Sequence, residues 1–322
     1  MKKLKILILV KRFADLYPKH RLKFDMLTAI EEFAEVSYWH SDGDIRQIIK
    51  EIKFNPDFIF HYDIAWGYSY SPRITGLGDI SIPKGCLVGD VHFSPLERIR
   101  YIACNKIDLI FSYTKHPFLS TFPHYRSKFR WFPFSVNPDI YKDWGLTKTI
   151  DFLLMGQFYY ADGNNPPKRL SPKGRYSFRE AVYNTLRGRQ GFVFYPHPGH
   201  KAAPRDNLVV EETYAQQLNR SKMFFTCGGE FKYPVAKFFE APACKTLLLA
   251  KPNRDILELG FQDRVNFVAC NEANFYEKAV FYLENDNIRN RITENGFEFI
   301  HKRHTNSIRA RQFVKYIQSY LA

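Results

Sequence analysis

Lys237 and Glu240 stand three residues apart in the stretch YPVAKFFEAPACKTLLLA (233–250), which reads as a short helix running into a buried strand. Residues at i and i+3 share one helix face, so an ammonium and a carboxylate are offered together. One reading of the couple is a local ion pair. The other is a site for a nucleoside diphosphate, which needs positive groups at its phosphates and an acceptor for its ribose hydroxyls. The preceding TCGGEFKYP suits that second reading. Gly228 and Gly229 allow close backbone approach, and Pro234 fits the first turn of a helix. The N–H groups of such a turn attract an anion. Gly156 and Gln157 follow the apolar run IDFLLMG, and His197 and Pro198 lie in the turn YPHPGH. Ligands of open α/β sheets bind beyond the carboxyl ends of strands, where these groups fall.

Other chemistries are disfavoured. A dinucleotide fingerprint needs glycines after the first strand, whereas VKRFADLYPKH (10–20) has none. Walker A, GxSxG and HExxH patterns are also missing. Asp42 and Asp44 form one D-x-D, which could hold a divalent metal, but Asp44 directly precedes a helical pattern and reads as an N-cap. The expectation is therefore a site without a metal.

The elements that must carry these residues are short apolar runs alternating with amphipathic stretches. KILILV, EVSYWH, DFIFHY, GCLVGD and DLIFSY are expected strands of the first half, with FDMLTAIEEFA and DIRQIIKEI as helices between them. The alternation restarts with IDFLLMG, GFVFYP, MFFTC, TLLLA and VNFVA. Continuous apolar strands separated by helices predict parallel sheets covered on both faces. The reading is an α/β protein with two Rossmann-like domains. The link between them is placed near residues 135–149, and the polar loop 159–174 is long enough to be functional or disordered.

The 322-residue chain is 45% hydrophobic and 25% charged, which is ordinary for a globular protein. Its formal charge of +14 favours anionic partners, and its 17% aromatic content suits large cores or flat ligands. Five scattered cysteines without a CxxC predict buried, reduced thiols and a cytoplasmic location. No segment is long enough to span a membrane, so membrane contact is expected only as a peripheral association at the inner face.

Several stretches resemble the spore-maturation-protein (CgeB-like) branch of the group-1 GT-B glycosyltransferases. VAKFFEAPACKTLLLA is similar to its donor-binding segment and YSFREAVYNTL to its Tyr–x–x–Arg helix start, matching Tyr176 and Arg179. YPHPGH is similar to its His-Pro-Gly turn and HTNSIRARQF to its closing signature. The resemblance covers about residues 150–315 and is weak before them. It implies an acceptor domain over 1–143, joined by a returning C-terminal helix at 306–322, and a donor domain over 144–305, the two facing a cleft. It implies sugar transfer from a nucleotide-sugar, a UDP-sugar above others, to an acceptor hydroxyl with retention and without a metal, in the synthesis of a surface glycan. Glu240 would bind the donor ribose, and Arg179 and Lys237 would neutralise the diphosphate. Gly156 would let the backbone approach that diphosphate, with YPHPGH near the base. Asp90 and His92 of GDVHF would face the acceptor, an anionic molecule or a glycan. The family's first glutamate is replaced by Lys232, and its usual Cys-Gly cap by Cys244-Lys245. Two rivals remain: a phage-type enzyme glycosylating modified bases in DNA, and a non-catalytic binding protein of the same fold.

Overall fold

The computed structural model describes residues 3–161, 168–169, 171–204 and 208–322. Residues 162–167 and 170 of the loop expected over 159–174 lie outside it. The chain divides into two compact units, Met1–Pro133 with Asn306–Ala322, and Phe134–Thr305.

The first unit is built on six parallel strands: β1 (Lys5–Leu9), β2 (Glu35–Trp39), β3 (Phe58–His61), β4 (Lys84–Leu87), β5 (Leu109–Ser112) and β6 (Phe129–Trp131). Their spatial order is β2-β1-β3-β4-β5-β6. Every residue of β3, β4 and β5 is buried, the pattern of strands covered on both faces. Helix α1 (Arg21–Thr28) follows β1, and α2 (Ile45–Ile52) follows β2. Asp44 caps α2 by accepting from the Arg46 N–H, and Asp42 accepts from the Arg73 N–H. Both carboxylates of the D-x-D are thus used in a turn and a cap. Helix α3 (Pro95–Cys104) and strand β6 lie in stretches from which no element is expected. β6 has only three half-buried residues, too few for a periodicity to show. GCLVGD is strand only through Leu87, so Asp90 lies in the following loop.

The second unit holds β7 (Ile150–Gly156), β8 (Phe192–Pro196), β9 (Ser221–Cys227), β10 (Leu247–Lys251) and β11 (Val268–Ala269), all parallel in the order β8-β7-β9-β10-β11. The run VNFVA shrinks to two strand residues, because Asn266 instead turns its side chain to bond Gly260 O and Gln262 N–H. The longer helices of the unit are α4 (Ser177–Leu186), α5 (Glu211–Asn219), α6 (Lys237–Ala243), α7 (Phe275–Glu284) and α8 (Asp286–Arg303), with a short helical turn at Arg254–Glu258. α4 and α7 bury Phe178, Val182, Leu186, Phe275 and Ala279 against Phe152, Leu154 and Phe225 of the sheet. A buried side chain of this size contributes about 1.5–3 kcal/mol. After α6, Lys245 takes the left-handed conformation (φ 54°) that a glycine would adopt without strain.

The last helix, α9 (Asn306–Leu321), belongs to the first unit. Its Phe313 ring lies 4.9 Å from Phe60, 4.5 Å from Phe111 and 5.4 Å from Phe132. The expected return of the C-terminal helix to the N-terminal domain is therefore observed. Among the described residues no helix is long and apolar enough to cross a membrane. The five cysteines are unpaired; four are buried, but Cys104 is exposed, against the expectation of buried thiols.

Candidate active site

Each sheet has one place where neighbouring strands send their connections to opposite sides. A doubly wound sheet binds ligands at that switch point. In the second unit it lies between β7 and β9. Arg179, from the first turn of α4, occupies it. Its guanidinium donates to Gln157 O (3.1 Å) beyond β7, and to Thr226 Oγ1 (3.1 Å) and Cys227 O (2.7 Å) at the end of β9. The Tyr176 ring lies 4.6 Å from the same guanidinium. Arg179 is only 3% exposed, so it is a fixed positive charge set beneath the crevice.

The glycines serve this arrangement more than an open space for ligand. A Cβ on Gly156 would come within 3.0 Å of the Arg179 guanidinium, and one on Gly229 (φ 66°) within 2.6 Å of the Tyr176 ring. At Gly228 it would meet Tyr233 O at 2.5 Å. The expected approach of the backbone to a diphosphate is thus answered by an approach of Arg179 and Tyr176 to the backbone. The loop after β9 is strapped to the start of α4 by the Arg175–Glu230 ion pair (2.6 Å).

The expected anion site at the N-terminus of α6 needs correction. The helix begins at Lys237, and Pro234 stands in the loop before it. The N–H groups of Phe238, Phe239 and Glu240 already bond Val235 O and Ala236 O. The side chains supply the charge instead. Lys237 Nζ lies 4.6 Å over the Tyr214 ring and donates to the Tyr214 hydroxyl (3.3 Å). Tyr141 donates to Glu240 Oε1 (3.3 Å), and the Tyr214 hydroxyl also bonds Glu240. Lys237 and Glu240 are therefore linked through a buried phenol and not as a surface ion pair. Burial draws the Lys237 ammonium down to about 8, opposed by the Glu240 charge and assisted by Arg179. Burial, then the Glu240 charge, pushes the Tyr141 and Tyr214 phenols up, so both stay protonated donors.

The YPHPGH turn meets this crevice through Gln157. His200 Nε2 lies 3.1 Å from Gln157 Oε1, and the His197 and His200 rings are 4.9 Å apart. His197 Nδ1 accepts from the Gly199 N–H (3.0 Å), which leaves any proton of the neutral ring on Nε2. Pro198 sits half-buried between them. Sequence reasoning missed Tyr141, Tyr214 and Thr226. The only signal was their type, since they reach the site from distant segments.

In the first unit the switch point lies between β1 and β3. Beyond β3, Asp63 accepts from the Ala65 and Gly89 N–H groups and pairs with Arg98 of α3 at 2.8 Å, both side chains buried. Arg98 also donates to Phe93 O (3.0 Å) and Asp90 O (3.3 Å). This pair, not foreseen from the sequence, holds the GDVHF loop in place. Asp90 accepts from Trp66 Nε1 (3.3 Å), and His92 is exposed. Among the described residues no group of three or more His, Cys, Asp or Glu could hold a metal ion.

Residues 178–315 match the family described as glycosyl transferase-like. No curated protein sequence matches the chain. Among solved structures, HepE (Alr3699) of Anabaena in complex with UDP-glucose aligns with a TM-score of 0.61 at 11% identity, over 98% of this chain and 100% of that one. An alpha-glucosyltransferase in complex with UDP-glucose and DNA containing an abasic site aligns at 0.61 and 11%, over 98% and 99%. Sucrose-phosphate synthase of Thermosynechococcus elongatus aligns at 0.60 and 12%, over 99% of both chains. The fold is GT-B: two Rossmann-like domains with a C-terminal helix returned to the first. The family match falls on the second unit and the first part of that returning helix.

Proposed function

We propose that the protein transfers a sugar from a UDP-sugar to an acceptor hydroxyl, with retention at the anomeric carbon and without a metal. The observation that carries this reading is the assembly of Arg179, Lys237 and Glu240 at the β7–β9 switch point. As the bond between the sugar C1 and the diphosphate oxygen breaks, the electron pair stays on the diphosphate. Lys237, through its ammonium, and Arg179, from beneath, stabilise that growing charge. Fixed charges aimed at a leaving group are the usual main source of such acceleration. They also supply the positive charge a metal would otherwise bring, while Asp42 and Asp44 are spent in a turn and a cap.

Glu240 binds the donor ribose, held by Tyr141 and Tyr214. Gln157, His197 and Pro198 lie where the base would rest, with Tyr176 beside Arg179, and Gly156, Gly228 and Gly229 admit the packing that builds the crevice. Asp90 and His92 are the candidates for handling the acceptor, taken here as a step in glycan synthesis. The UDP-glucose held by HepE and by the alpha-glucosyltransferase supports the choice of donor.

Calorimetry of UDP-glucose binding tests the site. A hydrogen bond to a charged group is worth about 1.5–3 kcal/mol, so Glu240→Ala is expected to weaken binding by roughly one to two decades in a folded protein. Unchanged affinity would make Glu240 structural and refute the assignment.

A further inference from the structure

The first unit carries a second constructed feature at its own switch point. Three consecutive residues, Trp66, Gly67 and Tyr68, adopt left-handed φ values of 59°, 66° and 61°. Backbone strain of this kind in bulky residues persists only where the surroundings over-determine it, and it clusters at ligand clamps. Here the loop is tied on several sides. Asp63 accepts from the Ala65 N–H, Lys11 Nζ donates to Tyr68 O (3.0 Å), and the Arg73 guanidinium lies 4.4 Å from the Tyr68 ring. The result presents one indole. Trp66 is 43% exposed, the most exposed Phe, Tyr or Trp ring among the described residues of this unit. One side of it stacks on Phe93, with centroids 4.0 Å apart and planes 29° from parallel. Its Nε1 donates to Asp90. Phe93 and Asp90 are themselves held by Arg98, which is paired with buried Asp63.

We propose that Trp66 is the stacking platform of the acceptor site, and that its ligand is a neutral sugar. A ring whose orientation is fixed from behind and along its edge loses little entropy when a flat ligand covers its open face. The apolar C–H face of a pyranose fits that surface. Beside it the Asp90 carboxylate is an acceptor-only group, matched to sugar hydroxyls and mismatched to the phosphates of a nucleic acid. The inference rests on the glycosyltransferase reading and names the class of its acceptor.

The test is calorimetric titration of the 322-residue protein with maltose, cellobiose and N,N′-diacetylchitobiose, and separately with single-stranded oligothymidine. UDP is titrated into the same wild-type sample. Saturable binding of at least one disaccharide is expected, weakened tenfold or more by Trp66→Ala and partly restored in Trp66→Phe. Trp66→Gly separates platform from scaffold. Glycine adopts left-handed φ without strain, so this variant is expected to lose the disaccharide without a lower melting temperature. Disaccharide binding that survives Trp66→Gly and Trp66→Ala would overturn the proposal. So would oligothymidine binding that depends on Trp66 in the absence of disaccharide binding. A wild type that binds a disaccharide through Trp66 but not UDP would sink the donor reading and leave the platform standing.

Discussion

Lys237 owes its chemistry to neighbours that one segment of sequence cannot show. Its pairing with Glu240 was legible from the i,i+3 spacing and the family-like stretch. The phenol that joins them comes from Tyr214, and the second donor to Glu240 comes from Tyr141, 99 positions away. No local pattern reports such a contact. The consequence is a pH dependence whose sign can be worked out. Burial draws the ammonium from 10.5 to about 8. A bound diphosphate stabilises the ammonium and raises its pKa again. Below about pH 8 the lysine is already protonated and binding takes up no proton. Above it a proton must be taken up, so UDP affinity should fall by up to tenfold per pH unit. The unfolded chain holds this proton more tightly, so between about 8 and 10.5 the ligand-free protein should gain stability from this group as pH rises. Lys237→Arg keeps its charge throughout, and its affinity should be flat across that range. A wild-type profile as flat as that of the arginine variant would show that Lys237 does not face the diphosphate.

At the scale of the elements, most of the fold could be read from periodicity. IDFLLMG is strand over Ile150–Gly156, and DNIRNRITENGFEFIHKR is helix over Asp286–Arg303, both as expected. Long, strongly periodic segments carry enough residues for the pattern to outweigh local noise. Strand β6 does not, and the position of Pro234 misled because proline suits a loop as well as a first turn. Helix packing leaves a subtler trace. Gly296 sits inside α8, where glycine is unfavourable by roughly 1 kcal/mol relative to alanine. A Cβ there would approach Asn266 O to 2.7 Å and Pro242 Cβ to 3.3 Å. The missing side chain is what lets α8 lie against α6 and the loop before β11. Gly296→Ala should therefore destabilise by about 1–3 kcal/mol, despite its better helix propensity. Denaturant melts read the sign directly, and a more stable alanine variant would show that the α6–α8 contact has slack.

At the scale of the whole molecule, the chain uses one device twice. In each unit a polar crevice forms where the strand order reverses, and a buried arginine fixes the loops that line it: Arg179 in the second unit, Arg98 in the first. The sequence revealed the second crevice through motifs but showed only GDVHF of the first, because Asp63, Trp66 and Arg98 fit no signature and meet only in space. The first unit is also discontinuous, being closed by α9 from the far end of the chain. Phe313 is the residue of α9 that completes its core, fully buried among Phe60, Phe111 and Phe132. Truncating a buried phenylalanine costs about 3–5 kcal/mol, and that loss falls on the unit built around β1–β6. Phe313→Ala should therefore split thermal unfolding into two transitions in calorimetry, since units of unequal stability need not melt together. UDP added to the variant should raise the upper transition, because a ligand stabilises the unit that binds it. The lower one should stay where it was. A single transition that still rises with UDP would show that the two units unfold as one, and a shift of the lower transition would place the nucleotide in the first unit.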